Sequence, residues 1–246
     1  MSAQATTKER PILFSAEMVR ALRAGRKTQT RRVCKHLEWI DTGGAVYMGK
    51  PVENYWRFKE KTGSFPFEAE RHMAYLLTFC PYGQPGDRLW VRETWQSFGD
   101  SSAVVPPPVP LACQIRYGAD GAARWCPVPA GAKGNFPASL KARPSIHMPR
   151  WASRLTLEVT GVRVERLQEI SEGDAVAEGI VRFKPCLDRE GQEGMVFGLD
   201  ARSLWYRDTA VEFYRSLWES INGPGSWELN PWVWVVEFKV LEGGAA

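Results

Sequence analysis

Residues 11–33 read PILFSAEMVRALRAGRKTQTRRV, and this run decides the fold. Ile12, Leu13 and Phe14 follow Pro11 as a short apolar strand. Ser15 is placed to cap a helix, with Glu17 in the first turn, where the helix dipole favours a negative charge. Met18, Ala21 and Leu22 keep helical spacing, and Gly25 ends the helix as a left-handed cap. From Thr28 through Val33 the residues alternate as a second strand. The run is therefore a β-α-β opening with a basic, polar turn, Gly25-Arg26-Lys27-Thr28, between helix and second strand.

Working outward, Gly86-Asp87 is turn chemistry, and Arg88 to Thr94 alternates as a strand. Leu155, Leu157 and Val159 share one face of a strand over Arg154–Glu165, which Gly161 interrupts as a bulge. Ser171 and Asp174 form a capping box before a short helix that Gly179 stops. Asp208 or Thr209 opens the clearest helix, with an apolar stripe of Ala210, Phe213, Tyr214, Leu217 and Ile221. Trp232 to Val240 is apolar on both faces until Glu237, which places it inside a sheet. Between these elements the periodicity fails, most visibly in the Pro-, Gly- and Ala-rich stretch from Phe98 to Pro149.

The 246 residues carry 32 Lys and Arg against 28 Asp and Glu, a net charge of +4, which is compatible with a nucleic-acid or nucleotide partner. No apolar run approaches the roughly 20 residues that span a bilayer, and the residues before Arg10 lack the apolar core of a signal peptide. Five cysteines, an odd number, read as reduced thiols. The expectation is a soluble cytoplasmic protein, in the host cytoplasm if phage-encoded, with no membrane partner.

Several chemistries are excluded. Gly25-Arg26-Lys27-Thr28 resembles the end of a phosphate-binding loop, but Arg26 separates Gly from Lys and the helix precedes the motif. Cys34-x-His36 is too short for zinc and no Cys-x-x-Cys occurs, so no metal is expected. His36, His72 and His147 serve no nucleophile elbow. The strongest signal is the run from Arg26 to Arg32. A second basic group, Lys141, Arg143, Arg150 and Arg154, surrounds Trp151. Cations interleaved with aromatics suit a nucleoside or an unpaired nucleic-acid strand.

The quoted run, with Gly-Arg-Lys-Thr-x-Thr at its turn, resembles the start of ASCH domains of the PUA-like superfamily. Gly86-Asp87-Arg88-Leu89-Trp90-Val91, Leu157-Glu158-Val159-Thr160 through Glu178-Gly179, and Val235-Val236-Glu237-Phe238 are similar to later family strands. Cys80-Pro81-Tyr82-Gly83, Arg92-Glu93-Thr94-Trp95 and Met148–Arg154 resemble an elaborated form common in phages and prophages. The resemblance implies an α+β fold: a PUA-like (ASCH) mixed β-barrel with a few short helices and long insertions. One domain over 9–241 would be built from about 9–33, 86–96, 150–181 and 205–241. Insertions separable from the barrel would occupy about 34–85, 97–149 and 182–204, with flexible termini at 1–8 and 242–246.

Small bacterial relatives are N4-acetylcytidine amidohydrolases, and other ASCH proteins look like RNA binders or ribonucleases. The resemblance implies catalytic roles for Lys27, Thr30 and Glu212. Arg26, Thr28, Arg31, Arg92, Glu93, Arg150 and Trp151 would bind the substrate, a modified nucleoside or single-stranded nucleic acid, with no cofactor. Thr28 is the rival nucleophile, and Glu93 and Glu178 are rival carboxylates. The alternative function is a non-catalytic RNA- or DNA-binding module or a ribonuclease of phage origin.

Overall fold

The computed structural model describes residues 7–35, 37–40, 46–47, 50–51, 55–58, 67–68, 77–98, 112–129, 141–187, 193–202 and 204–241. The fold is mixed α+β, rich in strands with few helices. Its centre is a five-stranded open sheet. The strands are β1 (Glu9–Leu13), β2 (Gln29–Val33), β8 (Arg88–Arg92), β12 (Thr156–Arg166) and β16 (Trp232–Leu241), in the order β1-β8-β12-β16-β2. Strands β1 and β8 run parallel and the other pairs antiparallel. The sheet ends on β1 and β2, so among the described residues no ladder closes it into the barrel that the sequence suggests.

Helix α1 (Ala16–Arg23) follows β1, with Ser15 Oγ accepting from the Met18 amide. Helix α2 (Glu172–Ala177) carries the Ser171–Asp174 capping box, and α3 (Ala210–Asn222) is capped by Thr209. Strand β16 has apolar residues on both sides because both sides are buried. Trp234, Val236 and Phe238 pack with Ile12, Leu89 and Leu157 under α1. Val233 and Val235 pack with Phe213, Tyr214 and Trp218 of α3. The register of β12 against β16 shifts between Val159 and Gly161, the bulge that glycine marks. A Cβ on Gly161 would sit 2.6 Å from a Glu237 carboxylate oxygen.

The stretches lacking periodicity hold structure of their own. In 34–85 the described strands are β3 (Leu37–Ile40), β4 (Val46–Tyr47), β5 (Lys50–Pro51), β6 (Tyr55–Phe58) and β7 (Phe67–Glu68). Strands β13 (Val181–Leu187), β14 (Glu193–Gly198) and β15 (Leu204–Tyr206) form a sheet whose Phe197 joins the cluster under α3.

The segment 97–149 departs most from its reading as a separable insertion. Strand β9 (Trp95–Phe98) straddles its start and pairs with β10 (Ala112–Tyr117), which pairs with β11 (Ala123–Pro127). Trp95, Ile115, Tyr117, Met148 and Ala152 bury one another in a third core cluster. Ala119, at the tip of this hairpin, belongs to the core under α1.

Cys34, Cys80, Cys113 and Cys126 are buried free thiols. The Cys186 side chain, His36 and His72 lie outside the described residues. His147 is exposed. Among the described residues no helix is long and apolar enough to cross a membrane, and no cluster of metal-ligating side chains could hold an ion.

Candidate functional site

The turn between α1 and β2 creates the site. Gly25 takes φ +69°, and the amides of Arg26 and Lys27 then both donate to Ala21 O, at 3.0 and 3.3 Å. This folds Lys27 under the end of the helix. The Thr28 amide donates to Ala177 O at 2.8 Å, and Lys27 pairs with Glu178 in an isolated antiparallel bridge. Gly179, at φ +100°, lets the chain leave α2 so close that an added Cβ would lie 3.0 Å from the Ala21 Cβ and 3.1 Å from the Lys27 Cβ.

Two chain ends thus press a lysine against a glutamate in the interior. Lys27 Nζ donates to Glu178 Oε2 at 2.6 Å and to Glu178 O at 3.0 Å, and its side chain has 0% exposure. Burial pushes the Lys27 amine below its ordinary value. Glu178 opposes that shift, and the charges of Arg31 and Arg32 add to it. The Phe14 ring lies 5.6 Å from Nζ and 5.3 Å from the Arg32 guanidinium.

Arg31, two residues into β2, is also buried. Its Nη2 pairs with Glu165, and with Asp174 at 3.3 Å, while Nη1 stands 3.5 Å from Glu178 Oε1. Burial works to raise the Asp174 carboxyl, but Ser171 and Gln29 hydrogen bonds and the Arg31 charge hold it at about 2. Gln29, buried beside them, donates to Asp174 O at 2.9 Å.

Beside this network opens a cleft of about 310 Å³, at the lower end of the range for small-molecule sites. Thr30, Arg31, Arg32 and Glu178 supply its polar lining, and Tyr82, Tyr214, Trp218 and Trp234 its aromatic lining. Burial holds the Tyr214 hydroxyl well above its ordinary range. The cleft is lined by Thr30 and by Glu178, and Glu178 in turn holds the buried Lys27 amine, which is not itself in the lining.

Glu178 links Lys27 to Arg31, and Arg31 and Thr30 line the cleft, while the other candidates lie elsewhere. Thr28 is exposed, just before β2, and absent from the cleft lining. Arg26 donates to Leu199 O at 2.7 Å. Glu212 is exposed on the first turn of α3, where its Oε2 accepts from the Asp208 amide at 3.1 Å. The carboxylate that meets Lys27 is Glu178. Arg92 stacks over Trp90 at 4.6 Å. Glu93 is buried in a two-pronged pair with Arg154, at 2.7 and 2.9 Å. Arg150 pairs with Glu9 at 2.9 Å. Arg150 and Trp151 line a second, shallower depression with Arg124 and Arg154 that shares no residue with the first.

Sequence reasoning missed Glu165, Asp174, Tyr82 and Tyr214 as parts of the site. The Ser171–Asp174 capping box was visible, but nothing in the local pattern says that the same carboxylate also meets Arg31. No protein-family profile matches the chain, and neither a curated protein nor a solved structure is significantly similar to it.

Proposed function

We propose that this chain is an ASCH-like protein of the PUA-like superfamily that binds a nucleoside or nucleic-acid base in the first cleft. There it hydrolyses the amide of an N4-acylated cytidine. The observation that carries this reading is the fully buried Lys27 amine, hydrogen-bonded to Glu178, a residue that lines the cleft together with Thr30. A lysine is a useful base near neutral pH only when something lowers its pKa, and burial with two neighbouring arginines does so here.

In the proposed reaction Thr30 Oγ attacks the acyl carbon, and its proton passes to neutral Lys27 Nζ. The C–N4 bond breaks as N4 takes a proton through Glu178, releasing cytidine. Water then cleaves the threonine ester, yielding the carboxylic acid and free Thr30.

The internal partners of the basic run favour a pocket over a phosphate-tracking strip. Arg26 and Arg32 donate to backbone carbonyls, and Lys27 and Arg31 to carboxylates. A strand-binding module needs such cations free for phosphates. The test is a screen of N4-acylated cytidines with product detection. Lys27→Ala and Thr30→Ala are each expected to abolish turnover, and the double variant to be little worse, because both disable one step. Wild-type turnover in a stably folded Lys27→Ala protein would sink the mechanism. So would affinity for single strands that falls steeply with salt in the absence of any turnover, which would put the binding module in front.

A further inference from the structure

The charges around the first cleft are not matched at its outer end. Lys27 and Arg31 meet Glu178, Glu165 and Asp174. Arg32 and Lys35 also line the cleft, and neither pairs with a carboxylate among the described residues. Arg32 is partly buried. Its Nη2 donates to Leu13 O at 2.6 Å, and its guanidinium lies 5.3 Å from the Phe14 ring. A carbonyl and a ring face attract a guanidinium without cancelling its full charge. Its Nη1 makes no hydrogen bond among the described residues and is not cut off from solvent. Lys35, just past the end of β2, is exposed. Two cations thus stand where a ligand can reach them. The Arg32 charge is felt inside at Lys27 as well, and gathering like charges is costly until an anion joins them.

We infer that Arg32 and Lys35 form a subsite for one phosphate monoester, so that the cleft takes a nucleoside 5′-monophosphate, free or at the 5′ end of a strand. The inference rests on reading the cleft as a nucleoside site. A guanidinium offers paired donors to phosphate oxygens, and an ammonium adds a compact point charge. A phosphate monoester carries about −1.5 to −2 at pH 7, which two cations match. A carboxylate or a phosphodiester carries a single negative charge and would leave one cation unmet. Thr30 and Arg32 are two residues apart on β2 and share a face, about 7 Å apart along the strand. That spacing leaves room for a sugar between a ring beside Thr30 and a phosphate at Arg32. Tyr82 and Trp234 line the same cleft and offer faces for the ring. Two cations at one end hold one phosphate and do not make the strip that a strand needs.

The test is calorimetric titration of the whole chain with cytidine, cytidine 5′-monophosphate and a 5′-phosphorylated cytidine dinucleotide, at low and at high salt. At low salt the monophosphate is expected to bind at least about tenfold more tightly than cytidine. The advantage should shrink at high salt, because reachable charges are screened. Lys35→Glu should remove most of the advantage, and so should Arg32→Gln, while Arg32→Lys, which keeps the charge, should retain part of it. Unfolding midpoints show whether each variant remains folded, and Lys35→Glu, at an exposed position, decides even if the Arg32 variants do not fold. Equal binding of cytidine and its monophosphate by the wild type overturns the subsite and leaves a nucleoside cleft. An advantage that persists unchanged in Lys35→Glu overturns its assignment to this end of the cleft. Binding of none of the three overturns the inference together with the cleft reading. With the advantage present, a dinucleotide that binds as tightly as the monophosphate identifies a strand end as the source of the phosphate. Exclusion of the dinucleotide identifies a free nucleotide. Both outcomes support the subsite, and neither depends on turnover of an acylated substrate.

Discussion

At the residue scale the unusual object is Lys27, an amine with 0% side-chain exposure that donates to the carboxylate and the backbone carbonyl of one residue, Glu178. Its pKa in the native state is lowered, chiefly by burial, from the ordinary 10.5. Between those two values the unfolded chain holds a proton that the native state has released, so stability rises with pH across that window. The cost of burying the charged amine is complete below the native pKa and gone above the ordinary one. Buried Cys34 and Tyr214, whose pKa values are raised, pull the other way at alkaline pH. The difference between wild type and Lys27→Met isolates the lysine. Denaturation from about pH 6 to 10 should show wild type gaining stability relative to Lys27→Met as pH rises, and a flat difference would mean that Lys27 titrates normally. Asp174 acts at the acid end. Its stabilisation, full above the usual carboxylate range, is lost as pH falls toward about 2.

At the scale of elements, the site is a consequence of how two helices end. Gly25 and Gly179 both take positive φ, but they do different things. Nothing lies within 4 Å of a Cβ added at Gly25, whereas one at Gly179 meets Ala21 and Lys27. Gly25→Ala therefore carries only the backbone cost, roughly 1–2 kcal/mol, and should leave turnover near wild type. Gly179→Ala adds to that backbone cost tight contacts of 3.0 Å with the Ala21 Cβ and 3.1 Å with the Lys27 Cβ, so it should lower turnover more than Gly25→Ala does. Parallel melting and rate measurements on both variants check this, and equal rates would mean that the α1–α2 approach does not set the site. These elements were legible. Caps at Ser15 and Ser171, a helix start at Asp208 or Thr209 that the fold settles on Thr209, the Gly161 bulge and the two-sided burial of β16 all follow from local pattern. What local pattern cannot carry is pairing at a distance. Lys27 and Glu178 are 151 residues apart, so Glu178 stood as one of three carboxylates until the fold brought it in. Trp218, off the predicted stripe of α3, is buried against Tyr214, which also meets Trp227 in the same core cluster.

At the scale of the whole molecule, the question is whether the segments between family-like strands are decoration. For 97–149 the chain answers through its burial. Cys113, Ile115 and Tyr117 alternate with Gln114 and Arg116 as a half-buried strand should, but Pro-, Gly- and Ala-rich flanks hide that short signal. The hairpin is tied in at three levels. Tyr117 Oη donates to Ala152 O at 3.0 Å, Arg20 donates to Ala119 O at 2.6 Å, and Arg154 joins Glu93 to Asp120. Replacing 99–140 with a short linker would uncover Trp95 and Met148 and take the Asp120 partner from both Arg23 and Arg154. Losing a buried aromatic alone costs about 3–5 kcal/mol, a large part of the roughly 5–15 kcal/mol that holds a domain folded. The shortened chain should therefore lose its cooperative unfolding transition or melt far below the full chain. Because Arg20 and Arg23 anchor α1, whose end positions Lys27, any folded remainder should also lose turnover. A shortened protein with the full chain's unfolding midpoint would show that the five-stranded sheet stands without this hairpin.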